Sequence, residues 1–256
     1  MTGTQLTPGD PRHVGRYTLL GRLGAGGMGV VYLGADEQGR RVAVKVMRQE
    51  FADDRQFRVR FAREAAALRA VASAHIVRVL ETGGEDARPY LVTEYVAGEP
   101  LASRVAEHGP FGPNVGLRLA RDLAAAMADI HAAGIVHRDL KPANVLLAPQ
   151  GPKVIDFGIA QIADATALTR TGMVLGTPGY LAPEQITGGV QGPAVDVFTW
   201  GLTVIFATTG RPPFGTGPAE AVLYRVVHAD PDVAGVPERL LPAIVAALHK
   251  DPALRP

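Results

Sequence analysis

The sequence contains no cysteine, so disulfides, thiolate metal sites and cysteine nucleophiles are all excluded. It also lacks an excess of one charge: 26 Lys and Arg stand against 25 Asp and Glu, a formal net charge of +1. That balance argues against nucleic acid or an acidic membrane as a partner bound by bulk electrostatics. No uninterrupted apolar run approaches the roughly 18 residues that a membrane helix needs. The most apolar helical stretch, 195–209, carries Asp196 and several threonines and reads as a buried helix. Residues 1–15 are polar, bear Pro and Gly and hold no apolar run to serve as a signal peptide; a flexible extension is expected there. This part of the chain is expected in the cytoplasm, and a longer, membrane-anchored parent is compatible with it.

What is present is enough to build a core: 47% of 256 residues are hydrophobic, which suits one compact unit split into two lobes. Residues 17–23, 30–35 and 41–47 are short β-branched or alternating runs separated by glycine-bearing turns at 24–29 and 37–39. Phe57, Phe61, Leu68 and Val71 recur at helical intervals with charges between them. Two more strands, 76–82 and 90–95, flank a turn at 83–87. Five strands and one helix thus predict a small antiparallel lobe over 16–96. From 97 onward the pattern turns helical. Leu119, Leu123, Met127 and Ile130 form one stripe of a helix over 117–133, with Gly134 as its C-cap. Further helices are predicted at 194–209, 219–228 and 238–250. Residues 159–192 are rich in Gly, Thr and Pro without periodicity, and so long an irregular stretch is more often functional than accidental. The expected class is α+β.

Gly24-Ala25-Gly26-Gly27-Met28-Gly29 fits G-x-G-x-x-G, with Val31 two residues beyond. Glycine lets backbone amides approach phosphate oxygens without a Cβ in the way; a plain hairpin is an equally good reading of the loop alone. A dinucleotide fold needs a helix after the third glycine, whereas Val30-Val31-Tyr32-Leu33 is a strand former, so the loop joins two strands. Val42-Ala43-Val44-Lys45 then reads as a strand bearing one lysine. Either Lys45 is an edge charge in solvent or it points inward and needs an anion. Glu64, on the predicted helix, is the natural partner, or else a solvated carboxylate.

His137-Arg138-Asp139-Leu140-Lys141-Pro142-Ala143-Asn144 places many polar side chains directly after a helix cap, where an account in terms of stability alone is hard to write. Asp156-Phe157-Gly158 follows, behind the strand-like Lys153-Val154-Ile155, and Val145-Leu146-Leu147 lies between the two clusters. A hairpin flanked by two polar turns brings Asp139, Asn144 and Asp156 to one end. Carboxylate and amide oxygens are hard ligands suited to Mg²⁺.

These segments, with Ala182-Pro183-Glu184, resemble in order and spacing the signature set of the protein kinases. The resemblance runs from Tyr17 to Pro256 and, through Met28 and an Ala/Gly/Arg-rich composition, is most like bacterial kinases of the eukaryotic type, actinobacterial ones in particular. It implies a two-lobed protein-kinase fold with a small antiparallel β-sheet lobe and a larger, mostly helical one. It also implies transfer of the γ-phosphate of ATP, with Mg²⁺ or Mn²⁺, to Ser/Thr hydroxyls of proteins. In that family pattern Leu23, Gly24, Gly26 and Gly29 cover the nucleotide, and Lys45, held by Glu64, takes the α- and β-phosphates. Asn144 and Asp156 hold metal, Asp139 accepts the substrate proton, and Lys141 neutralises the γ-phosphate. Val31, Ala43 and Leu146 sandwich adenine, Glu94 to Val96 form the hinge, and Thr93 guards the pocket behind it. Leu68, Val79, His137 and Phe157 resemble an apolar column, although core packing describes them equally well.

Serine/threonine preference rests on Lys141 and on Thr177, which the resemblance sets to bond Asp139 and Lys141. The segment Thr177–Glu184 counts against a small-molecule phosphotransferase, and the presence of Lys45, Asp139 and Asp156 counts against a kinase-like scaffold (pseudokinase). Arg138 is expected to pair with phosphate on Thr169 or Thr171, added by autophosphorylation, with a homodimer acting in trans as one route. Two departures stand out. Ala74-His75 replaces the usual His-Pro. The sequence also stops at Arg255-Pro256, before the family's last helix, which leaves the arginine expected to pair with Glu184 weakly anchored.

Overall fold

The computed structural model describes residues 3–84, 88–157 and 177–256. The chain divides into two units: Met1–Ser73 with Val77–Ala97, and Ala74–Ile76 with Gly98–Pro256.

Valine alternation organises the first unit. Strands β1 (His13–Val14), β2 (Tyr17–Gly26), β3 (Gly29–Ala35), β4 (Arg41–Met47), β5 (Val79–Gly83) and β6 (Tyr90–Glu94) form an antiparallel sheet of order β1-β2-β3-β4-β6-β5. In β4, Val42, Val44 and Val46 are buried with Tyr17, Leu19, Tyr32 and Val92 on one face. Side chains alternate along a strand, so Ala43 and Lys45 lie on the other. Register sets Val31 opposite Lys45, which is opposite Leu91, and Leu33 opposite Ala43, which is opposite Thr93; directly paired residues share a face. A short helix, α1 (Gln49–Ala52), precedes α2 (Arg55–Ala70). The Asp54 carboxylate caps α2 by accepting from the amides of Gln56 and Phe57 at 2.8 and 3.1 Å. Phe57, Phe61, Ala65 and Leu68 form its buried stripe, which packs on β5.

Two expectations need correction here. Residues 3–15 are not a loose extension. Thr4 bridges to Arg22 and β1 pairs with β2, because both segments present unpaired backbone groups at a sheet edge. The sheet therefore has six strands rather than five. The fourth predicted strand begins at Val79 rather than at residue 76, because Ile76 instead makes a parallel bridge to Val154 in the second unit. His75 belongs there too, its carbonyl accepting from the Val154 amide at 2.8 Å.

The second unit runs through β7 (Glu99–Pro100), α3 (Leu101–His108), α4 (Pro113–Ala132), β8 (Val145–Ala148), β9 (Gly151–Val154), α5 (Pro183–Thr187), α6 (Pro193–Thr209), α7 (Ala219–His228) and α8 (Leu241–Ala247), with β7-β8-β9 as a small sheet. Helix α6 is apolar nearly all round and is the buried centre, as such a pattern requires. Phe198 stacks on Phe214 at 6.4 Å, and the Trp200 indole donates to the Ala120 carbonyl at 2.8 Å, tying α6 to α4. Helix α8 is shorter than the predicted 238–250, because residues 238–240 form a turn and Leu248 already leaves the helix. No helix among the described residues is long and apolar enough to cross a membrane.

Candidate active site

Each unit holds one group of the predicted residues. In the first, Gly24 and Gly26 end β2 and Gly29 opens β3, so the loop is a hairpin with Gly27 and Met28 at its tip. Gly29 is required by the fold, since a Cβ there would collide with the Val46 carbonyl. At Gly24 and Gly26 a Cβ would meet nothing within 4 Å, and neither residue has a positive φ. The protein's own packing does not demand glycine at those two positions, and the missing Cβ leaves their backbone amides open to approach. Leu23 sits at a register shift between Arg22 and Gly24. Val31, Ala43, Lys45 and Thr93 share the half-exposed sheet face, while Glu94 ends β6 and Val96 follows it. Glu64 is half-buried on α2, beside Ala65.

The acid loop of the second unit grows directly from the end of α4. Gly134, at φ 72°, turns the chain so that its amide and that of Ile135 bond the carbonyls of His131 and Ile130. The loop then contains Arg138 at φ 64°, and Asp156, beyond β9, has φ 60°. These are the described non-glycine residues in the left-handed region, a conformation that costs about 1–3 kcal/mol and persists where surroundings over-determine it. At Arg138 those surroundings are visible. Asp196 of α6, fully buried, accepts from the amides of His137 and Arg138 at 2.7 Å each and bonds His131 Nε2 at 2.8 Å. The Gln185 amide donates to the Arg138 carbonyl at 3.0 Å and accepts from the Ala182 N–H at 2.8 Å. From the sequence Asp196 reads only as a charge in a buried helix, and Gln185 carries no signal. The signal for Asp196 was one carboxylate in an otherwise apolar helix.

The result is a fixed carboxylate. Lys141 Nζ donates to both oxygens of Asp139 at 2.9 and 2.8 Å. Asn144 Nδ2 donates to the Asp139 carbonyl and to Oδ2 at 2.8 and 2.9 Å. Because both bonds use the amide nitrogen, Asn144 Oδ1 is the atom turned away from Asp139, an oxygen suited to a hard cation. The Ile155 amide donates to the Asn144 carbonyl at 2.9 Å, joining the loop to the segment that carries Asp156. Buried His137 bonds the Ile155 carbonyl through Nε2 and lies 5.2 Å from the Phe157 ring. Leu146 is buried in β8.

Thr177 departs from expectation. It is exposed at the start of the turn Pro178–Tyr180, and its carbonyl closes that turn by accepting from the Tyr180 amide at 2.9 Å. Among the described residues the Asp139 side chain is bonded by Lys141 and Asn144, not by Thr177. Arg255, expected to be weakly anchored, is instead buried with all five donors used. It forms a bidentate pair with Glu184 at 2.6 and 2.9 Å and bonds the carbonyls of Ala194, His249 and Lys250. Thr169 and Thr171 lie outside the described residues.

An antiparallel sheet with one long helix, followed by a helical unit that carries an acid loop, is the protein-kinase fold. The solved PknI kinase domain of Mycobacterium tuberculosis aligns with a TM-score of 0.73 at 30% identity, over 94% of this chain and 90% of that one. The protein kinase domain family matches residues 17–256. The serine/threonine-protein kinase AfsK of Streptomyces coelicolor is 46% identical over 98% of this chain and 32% of its own length. The probable serine/threonine-protein kinase PkwA of Thermomonospora curvata is 43% identical over 98% of this chain and 34% of its own length. The chain therefore belongs to the protein kinase domain family, whose members use ATP and a divalent cation, and it spans about a third of the length of these two curated relatives.

Proposed function

We propose that this chain transfers the γ-phosphoryl group of ATP to Ser/Thr hydroxyls of proteins, and that Asp139, Lys141, Asn144, Asp156 and Lys45 carry the reaction. What supports this most is the Asp139 carboxylate, clamped by Lys141 and Asn144 in a loop backed by buried Asp196. The substrate oxygen attacks the γ-phosphorus and the bond to the β-phosphate oxygen breaks, releasing ADP. Asp139 orients the hydroxyl and takes its proton, and Lys141 offsets the charge on the transferred group. Asn144 and Asp156 offer oxygens for Mg²⁺, with Mn²⁺ as the substitute; bound metal would neutralise phosphate charge and orient the phosphates. Lys45, kept by Glu64, binds the α- and β-phosphates, while the amides of the Gly24–Gly29 hairpin cover them. Val31, Ala43 and Leu146 take the adenine faces, with Glu94 and Val96 along its edge and Thr93 behind.

Regulation in this reading runs through Arg138, which pairs with phosphate placed on Thr169 or Thr171 by a second copy of the chain. The action is placed in the cytoplasm, where ATP and protein acceptors meet. The test compares the native chain with Asp139→Asn, using radiolabelled ATP, Mg²⁺ and a generic protein substrate. Labelling by the native chain alone is expected, and equal labelling by both defeats the assignment. ATP binding without labelling by the native chain would favour a scaffold. Mass spectrometry after incubation is expected to find phosphate on Thr169, Thr171 or both; an active enzyme with neither modified defeats the regulatory part.

A further inference from the structure

The family match begins at residue 17, yet residues 3–16 are built into the first unit, with Asp10 at the centre of a polar contact. The Asp10 side chain is 2% exposed. Its Oδ1 accepts from Arg22 Nη2 at 2.6 Å and from the Tyr32 hydroxyl at 2.7 Å. Its Oδ2 accepts from Arg22 Nε at 2.7 Å, the Thr7 amide at 2.7 Å and the Thr7 hydroxyl at 2.9 Å. A buried carboxylate is tolerated when its lone pairs are filled in this way. The backbone follows the same path: Thr4 and Arg22 exchange amide-to-carbonyl bonds at 2.9 and 2.8 Å. The approach is close enough that a Cβ at Gly21 would lie 2.7 Å from the Thr4 carbonyl, and one at Gly3 2.9 Å from the Arg22 carbonyl.

The position of this contact matters more than its strength. Arg22 and Tyr32 are directly opposed in β2 and β3, and the next pair toward the tip is Gly24 with Val31. Between the two pairs lies the register shift that leaves Leu23 without an opposite residue. A bulge bends its strand and raises local twist, so the direction in which the glycine hairpin leaves the sheet depends on how firmly its base is held. Asp10 grips both strands at that base, on the Tyr32 face, opposite the face of Val31 and Lys45. The tip is held separately, by the Arg48 amide on the Met28 carbonyl at 3.1 Å and the Arg48 guanidinium on the Gly26 carbonyl at 3.1 Å.

We infer that residues 3–15 form a brace for the glycine hairpin, with Asp10 as a positioning residue that aims the hairpin amides at the nucleotide phosphates through Arg22 and Tyr32. The inference rests on the kinase reading above. Asp10 touches neither nucleotide nor acceptor, and its effect is exerted through the angle of the hairpin.

The experiment uses the whole chain as native protein, Asp10→Asn and Tyr32→Phe. KM for ATP and kcat are measured well below each thermal midpoint, and amide hydrogen exchange over residues 24–29 is followed without nucleotide. Asp10→Asn is expected to raise KM for ATP about three- to tenfold, with kcat within about twofold of native, and to speed exchange at the hairpin. Tyr32→Phe leaves the Asp10–Arg22 pair in place and gives the same shifts at smaller size, which keeps the test decisive if Asp10→Asn fails to fold. A lowered midpoint with native KM and native exchange would overturn the brace and leave only a stabilising contact. If the native chain transfers no phosphate, the kinase reading fails, while exchange at residues 24–29 still decides whether Asp10 holds the hairpin.

Discussion

Asp139 and Asp10 are both carboxylates fixed by several donors, and they differ in what surrounds them. Asp139 is partly exposed and shares its oxygens with Lys141 and Asn144, and in the proposed reaction it would take the substrate hydroxyl. Replacing Lys141 with Ala removes one clamp on Asp139 and the cation beside its carboxylate. We expect kcat to fall about 10²-fold or more, read in the same phosphate-transfer assay, with the thermal midpoint little changed. Asp10 is closed in. The hydrogen-bonded Arg22 guanidinium holds its carboxyl well below the usual range, helped by Thr7 and Tyr32 and opposed by burial. Burial first, then the Asp10 carboxylate, pushes the Tyr32 hydroxyl up to about 12, so it stays a donor at neutral pH. Because the folded state depresses the Asp10 pKa, its contribution is complete above the unfolded value of about 3.9 and is lost as pH falls through and below it. Urea midpoints measured from pH 7 to pH 2 are expected to separate native from Asp10→Asn above pH 5 and to draw closer together toward pH 2; parallel curves would contradict this.

Elements carry these residues, and the decisive one for the acid loop is α6. It supplies Asp196, whose oxygens satisfy the amides of His137 and Arg138. Asp196→Ala leaves the buried His137 N–H and the partly buried Arg138 N–H without acceptors, each costing up to about 1–3 kcal/mol. It also removes the support for the left-handed Arg138. We expect a loss of roughly 2–5 kcal/mol in denaturant unfolding, together with a kcat lower than in Lys141→Ala at equal folded fraction. Loss of stability with native kcat would show that the loop holds its shape without α6. Elements with strong local patterns were legible beforehand. The alternating valines of β4, the stripe of α4 with its glycine cap, and α7 at 219–228 all follow from period and punctuation. Helix α3 was not predicted, since Leu101 and Val105 are its buried residues and no side chain caps its start. The segment before β2 carries a polar composition that describes loose and bonded chain equally well.

At the scale of the molecule, the second unit is held from its far end by Glu184 and Arg255, 71 residues apart. The guanidinium lies 4.7 Å from the centre of Phe198, so the ion pair sits against the apolar core around α6. Removing one partner of a buried pair leaves the other uncompensated, typically at about 3–5 kcal/mol. Glu184→Ala is therefore expected to lower stability by about that amount in calorimetric or denaturant unfolding. A loss below about 1 kcal/mol would mean that solvent already reaches the pair.

The sequence by itself picked out the candidate chemistry-bearing residues. Gly24 to Gly29, Lys45, His137 to Asn144 and Asp156 lie in short segments whose composition and spacing are unusual enough to read without a structure, and most helices and strands follow from local periodicity. Only the tertiary structure decided what supports them. Asp196 and Gln185 reach the acid loop from 59 and 47 residues away. Asp10 reaches the hairpin across the sheet. Arg255 is fully bonded, and Thr177 is not among the hydrogen-bond partners of the Asp139 side chain. The reason is physical: a reactive group announces itself by its own side chain, whereas a supporting group is an ordinary polar residue whose role appears only when folding removes water and leaves a particular donor or acceptor to be satisfied.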